Sequence, residues 1–142
     1  MMILKCSTND LPICSTNVEL RKIVFNYYQK NFTKPLKTVI NIETGIIIGF
    51  ERGGANKTAF GGSMYAKKAA LITILDQICQ HGQLRSVGKP KETDIPKGIL
   101  CFLNFTANVI IDNQLEIVRF SVRVKKDGSF HYHIDTPLVI KK

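Results

Sequence analysis

Apolar positions switch between helical and strand spacing along the chain, and the switches predict its elements. Thr16-Asn17-Val18-Glu19 fits an N-terminal capping box, and Leu20, Ile23, Val24, Tyr27 and Tyr28 follow at helical intervals. Lys34-Pro35 stops this first helix. Thr38 to Glu43 is rich in β-branched residues, Thr44-Gly45 signals a turn, and Ile46 to Glu51 returns as the second arm of a hairpin. Gly53 to Thr58 and Gly61-Gly62 read as loop, and Ser63 reads as the cap of a second long helix. The core stripe of that helix is Leu71, Ile74, Leu75 and Ile78, and Gly82 ends it. Residues 83–97, with Pro90, Pro96 and many charges, read as a surface loop. Three strands follow, Ile99 to Ile111, Leu115 to Val124 and Phe130 to Asp135, separated by the turns Asp112-Asn113 and Lys126-Asp127-Gly128.

The expected architecture is α+β: two main helices packed on an antiparallel sheet built from the early hairpin and a C-terminal three-stranded meander. Residues 1–15 read as a loose lead-in, and 16–142 as a single domain with no internal boundary.

Alternation in the meander separates two faces. Val118, Phe120, Val122 and Val124 share one side of their strand, and Arg119, Ser121 and Arg123 take the other. His131, His133 and Asp135 alternate with Phe130, Tyr132 and Ile134, while Asn104, Thr106 and Asn108 alternate with apolar residues. A two-residue turn at Asp112-Asn113 places Thr106 opposite Arg119 and Asn104 opposite Ser121. A three-residue turn with Gly128 left-handed places Arg123 opposite His131, Ser121 opposite His133 and Arg119 opposite Asp135. One surface thus collects imidazoles, guanidiniums, hydroxyls and amides. A wet sheet face is ordinarily polar, but Lys and Glu are its usual occupants. His and Arg suit proton transfer and phosphate binding.

Composition sharpens this picture. The 142 residues carry 20 Lys+Arg against 11 Asp+Glu, a net charge of +9, and 44% are hydrophobic. The charge favours a polyanionic partner such as nucleic acid. The apolar content argues against disorder. Four Cys are ordinary for this length, and Cys6, Cys14, Cys79 and Cys101 contain no CxxC pair, so a disulfide scaffold is not indicated. No apolar run reaches the length of a membrane span and the start of the chain lacks a secretory pattern, which predicts a cytoplasmic protein without membrane contact.

Two imidazoles and two guanidiniums on one face suffice in principle to cleave RNA without metal. One His takes the proton of a ribose 2′-hydroxyl, the other protonates the leaving 5′-oxygen, and Arg stabilises the phosphate charge. His131 and His133, with Arg123 and Arg119, are the candidates, in an order the sequence does not assign. A metal on His131 and His133 would need Asp135 as third ligand, and the Arg neighbours oppose a cation there. Gly53 to Thr58 lacks the glycine before lysine that a nucleotide-binding P-loop requires, because Asn56 stands there. Lys57 and the loop amides could still hold a nucleic-acid phosphate. Further contacts to nucleic acid are expected from Lys67, Lys68, Thr106, Ser121, Lys125 and Lys126. No metal or cofactor is expected.

The run Asn41 to Ile48, the glycine-rich stretch with Lys57-Thr58, the Lys-Ala-Ala-Leu helix start at Lys68 to Leu71 and the final Phe130-His131-Tyr132-His133 together resemble domains of large polyvalent phage proteins. Those domains are assigned to the barnase–EndoU–colicin–RelE-like (BECR) nuclease superfamily. The resemblance spans roughly residues 17 to 135 and implies metal-independent ribonuclease chemistry, often on tRNA, in toxins neutralised by an immunity protein or antitoxin. It points to Lys57, Thr58, Lys68, His131 and His133 as site residues. Related domains often place a His in the loop after the first hairpin, where this chain has Asn56, Lys57 and Thr58. The expected function is therefore a toxin-type endoribonuclease that leaves a 2′,3′-cyclic phosphate. The alternative is a non-catalytic nucleic-acid-binding or protein-interaction module of a phage-related protein.

Overall fold

The computed structural model describes residues 3–12, 14, 16–60, 64–133 and 139–141, with the side chains of Lys57, His133 and the last three of these left out. Ser63, Ile134 and Asp135, expected as a helix cap and as strand residues, lie outside the described residues.

The first strand, β1 (Leu4–Cys6), precedes helix α1 (Asn17–Tyr28). Thr16 Oγ1 accepts from the Glu19 amide at 3.2 Å, satisfying one of the free donors at the helix start. The helix continues as a π-helical turn through Thr33, and the chain reverses before Thr38. The hairpin strands are β2 (Thr38–Ile40) and β3 (Ile47–Gly49). Helix α2 (Arg52–Phe60) follows, then an interrupted helix made of α3 (Ala66–Ala70), a 3-10 stretch (Leu71–Ile74) and α4 (Leu75–His81). Strand β4 (Gln83–Gly88) leads to β5 (Ile99–Ile111), β6 (Gln114–Lys125), β7 (Phe130–His133) and β8 (Val139–Lys141).

The strands form one curled mixed sheet in the order β1-β5-β6-β7-β3-β2, with β4 added to β5 and β8 to β6. This overturns the expectation of two main helices on an antiparallel sheet. Two pairs are parallel, β1 with β5 and β3 with β7. Among the described residues the α-helices group into three stretches, besides the 3-10 turns Thr8–Asp10 and Ile95–Lys97, because Gly53 to Thr58 is helix and not loop. Part of the stretch expected as a surface loop, Gln83–Gly88, is a strand with a bulge between Leu84 and Ser86. These departures share a cause. The glycine pair and the charged, proline-containing stretch have poor local propensity, and long-range pairing decides them.

The meander has the register that turn chemistry predicts: Thr106 faces Arg119, Asn104 faces Ser121, Arg123 faces His131 and Ser121 faces His133. Asp112 (φ 49°), Asn113 (φ 67°) and Gly128 (φ 84°) supply the left-handed conformations those turns need.

The helices cover one face of the sheet. Tyr28 and Phe32 meet Phe50 and Tyr132, whose rings lie 5.8 Å apart, while Phe105 stacks on Phe120 at 5.0 Å. Buried Asn41 fixes the hairpin to the end of α4: its Nδ2 donates to the carbonyls of Cys79 (2.8 Å) and Gly82 (2.9 Å), and its Oδ1 accepts from the Thr44 amide and hydroxyl. This clamp orients β3, which carries one side of the candidate site.

Candidate functional site

The parallel pairing of β3 with β7 sets Gly49 beside His131. Continuing the alternation, Ile48 and Phe50 point into the core and are buried, so the next residue, Glu51, turns to the opposite face. Glu51 is also the junction to α2: its carbonyl accepts from the amides of Gly54 (3.0 Å) and Ala55 (3.3 Å). A carboxylate at that end of a helix is favourably placed in the helix field.

From β6, Arg123 and Lys125 stand two residues apart and project from the same face. Arg123 Nη2 donates to Glu51 Oε2 at 2.9 Å, and Lys125 Nζ donates to Glu51 Oε1 at 2.9 Å. His131 Nδ1 lies 3.3 Å from Glu51 Oε1. One carboxylate is thus surrounded by a guanidinium, an ammonium and an imidazole from two strands.

The far side of the imidazole is held by the β6–β7 turn. Ser129 Oγ donates to Asp127 Oδ1, so it accepts from His131 Nε2 at 3.0 Å. That fixes a proton on Nε2 and leaves Nδ1, facing Glu51, as the nitrogen that gains or loses one. Nδ1 and Arg123 Nε are both buried without a hydrogen bond. Of the two, Arg123 Nε is a buried donor without an acceptor, which suits a ligand with more oxygens than a carboxylate.

Electrostatics set the resting protonation. Burial pushes the Glu51 carboxyl up, but Lys125, His131 and Arg123 outweigh it and hold the pKa below the ordinary value. Burial lowers the pKa of His131; Glu51 opposes that, Lys125 and Arg123 add to it, and the outcome is below the ordinary imidazole value. At neutral pH the site therefore rests with an ionised carboxylate and a neutral imidazole. An open groove of about 560 Å³ adjoins His131, lined by Thr38, Ile47, Gly49, Ser129 and Phe130 among others.

The remaining candidates are dispersed. His133 lies on β7 opposite Ser121, with its side chain outside the description. Arg119 is exposed, opposite Thr106. Ser121 is buried and its hydroxyl donates to Asn104 Oδ1 at 2.8 Å. Thr58 is buried in α2, its hydroxyl turned back to the Gly54 carbonyl at 2.6 Å. Lys57 is on the same helix, its side chain outside the description. Lys67 pairs with Glu116 at 3.3 Å, and Lys68 is buried with its pKa lowered, by burial first and Arg21 second. Lys126 is exposed in the turn after β6.

Glu51 is the residue that sequence reasoning missed. Its only local signal is that it ends the strand pattern Ile46 to Glu51 on the outward-facing parity. Its partners come from β6 and β7, and no local rule brings a parallel neighbour into view.

Among the described residues no His, Cys, Asp and Glu group of metal-binding type occurs, and no helix is long and apolar enough to cross a membrane. Comparison with curated proteins and with solved structures gives no match. Residues 15–132 match the family described as large polyvalent protein-associated domain 3, and the chain belongs to that family.

Proposed function

We propose that this domain is a metal-independent endoribonuclease, and that Glu51 joins His131 in the proton transfers. The observation that supports it is the convergence of Glu51, His131, Arg123 and Lys125 on one face of a basic domain. In this reading a phosphodiester competes with Glu51 for Arg123 and Lys125. The released carboxylate accepts the ribose 2′-hydroxyl proton, the 2′-oxygen attacks phosphorus, and the bond to the 5′-oxygen breaks. His131, protonated once the phosphate charge is beside it, gives its proton to that oxygen. The products are a 2′,3′-cyclic phosphate and a free 5′-hydroxyl. Arg123 and Lys125 neutralise charge on the phosphoryl oxygens. His133, two residues further along β7, is the second histidine that the sequence offers for either role.

In this reading the domain is a relative of the BECR nucleases of phage-related and toxin proteins, acting on RNA such as tRNA in a bacterial cytoplasm, its own or that of a target cell. An acidic immunity protein or antitoxin that covers the cationic face fits as its inhibitor.

The test is cleavage of bulk tRNA in EDTA by wild type, Glu51→Gln, His131→Ala and His133→Ala. The expected result is EDTA-resistant cleavage with cyclic ends. Glu51→Gln and His131→Ala should each lower it by about 100- to 10,000-fold. A folded wild type that cuts none of several RNAs overturns the proposal.

One observation favours a second reading, a protein-interaction module. β2 is the edge strand of the main order, and Ile40, Ile42 and Ile47 around its hairpin are 59%, 63% and 55% exposed. RNA binding without cleavage, or no RNA binding at low salt, would shift the assignment toward a binding role.

A further inference from the structure

A second cationic pair lies on the outer face of the sheet, outside the cluster around Glu51. Arg119 on β6 is exposed and makes no hydrogen bond or ion pair with a described residue. Its cross-strand partner is Thr106 on β5, whose Oγ1 accepts from Arg85 Nε at 2.8 Å. Arg85, on β4, also donates from Nη2 to Gln83 Oε1 at 2.9 Å. Arg85 is exposed yet fixed at two points, which leaves Nη1 available. A guanidinium held in this way loses less freedom on meeting an anion than a mobile lysine does.

Arg119 and Arg123 project from the same face of β6, separated by about 13 Å at strand rise. The residue between them on that face, Ser121, is neutral and buried. Its hydroxyl is given to Asn104, whose Nδ2 donates to Ser86 Oγ at 3.1 Å. β4 and β5 contain no acidic residue, and the one acid of β6, Glu116, is buried on the core-facing parity. The face therefore presents two cationic stations joined by a neutral hydrogen-bonded strip, with no carboxylate along these strands to repel an anion between them. One phosphate cannot reach both stations, and a short polymer of phosphates can.

We infer that Arg85 and Arg119 form a second phosphate subsite, so that the ligand is a single polynucleotide strand several nucleotides long, laid along β6. One phosphate sits at Arg123 and Lys125, and another, further along the strand, sits at Arg85 and Arg119. The identity of the polymer as RNA rests on the ribonuclease reading. The second station rests on the face geometry alone. A positive track that follows the backbone is how sequence-tolerant single-strand binders work.

The experiment measures binding by fluorescence anisotropy, using 2′-O-methyl oligonucleotides that lack the attacking hydroxyl. A labelled dinucleotide and a labelled hexanucleotide are compared across a salt series. For wild type the hexamer should bind more tightly and with the steeper salt dependence. In Arg85→Gln/Arg119→Gln the hexamer's advantage over the dinucleotide should shrink by about tenfold, the scale of a charge-assisted hydrogen bond. The slope of log K against log salt for the hexamer should fall by about 0.7, the value for one lost single-strand phosphate contact. Arg85→Lys/Arg119→Lys should keep that slope. The inference is overturned if wild type does not favour the hexamer, if both lengths weaken in the same proportion, or if the lysine pair loses the slope as the glutamine pair does. Because these probes cannot be cut, the result is independent of the tRNA assay: a length effect in a protein that cleaves nothing would uphold the subsite and reject the nuclease.

Discussion

Lys67 Nζ lies 3.3 Å from Glu116 Oε1, and the Glu116 side chain is only 1% exposed. The pair ties the start of α3 to the inward face of β6, and Gln114 accepts a further hydrogen bond from the same ammonium. The other carboxylate oxygen, Oε2, is buried with no hydrogen bond to a described residue. Removing Lys67 leaves a buried charge with no counterion. Lys67→Met should therefore destabilise the domain by about 2–4 kcal/mol, below the upper range for buried pairs because the Lys67 side of the pair still reaches water. Lys67→Met/Glu116→Gln should recover part of the loss. Urea unfolding of the two variants checks the order.

The imidazole of His131 should titrate below the ordinary value of 6.5, and its neighbours should move it in opposite directions. Glu51→Gln should lower the midpoint further, and Lys125→Ala should raise it. Imidazole NMR titrations read both. The Glu51 pKa is depressed on folding, so its stabilising contribution is present above the unfolded value of about 4.5 and disappears as pH falls through the folded value. The stability difference between wild type and Glu51→Gln should accordingly close on acidification.

Adjacent glycines in α2 should respond with opposite signs. A Cβ at Gly53 meets nothing within 4 Å, so Gly53→Ala should stabilise by about 0.5 kcal/mol through helix propensity. A Cβ at Gly54 would lie 2.5 Å from the Tyr28 hydroxyl oxygen and 3.3 Å from the Tyr132 carbonyl oxygen. Gly54→Ala should cost about 1–3 kcal/mol. Thermal denaturation of the two single variants makes the comparison.

Asn41→Ala removes two hydrogen bonds to backbone carbonyls and two accepted from Thr44. It should cost about 2–3 kcal/mol, chiefly from carbonyls left buried and unpaired. Hydrogen exchange should quicken first in the β2–β3 hairpin.

The pairs that lie close in the chain were the legible ones. Asp112-Asn113 and Gly128 declare their turns, so the register Arg123–His131 follows from local chemistry. The first helix is announced by Thr16 and a clean apolar stripe, with Leu20, Val24 and Tyr28 buried. Other elements depend on partners far along the chain. Gly53-Gly54 reads as loop because glycine disfavours helix, yet α2 needs Gly54 to pass close to Tyr28. β4 is a strand because β5 lies beside it. The candidate site divides in the same way. Arg123 and His131 come from the meander and were visible, whereas Glu51 joins them through the parallel β3–β7 pair, which no turn specifies.

That parallel pair also governs when the site comes into being. β3 belongs to the first part of the chain and β7 to the last, and Ile48 can meet Phe130 only after everything between them has been made. Contacts so distant in sequence form late, because the intervening loop must first be closed. During synthesis the β2–β3 hairpin and the helices emerge well before Arg123, Lys125 and His131 do. A ribosome-bound chain therefore carries Glu51 without its three partners. The cluster is assembled only once β7 has been made and β3 has closed against it.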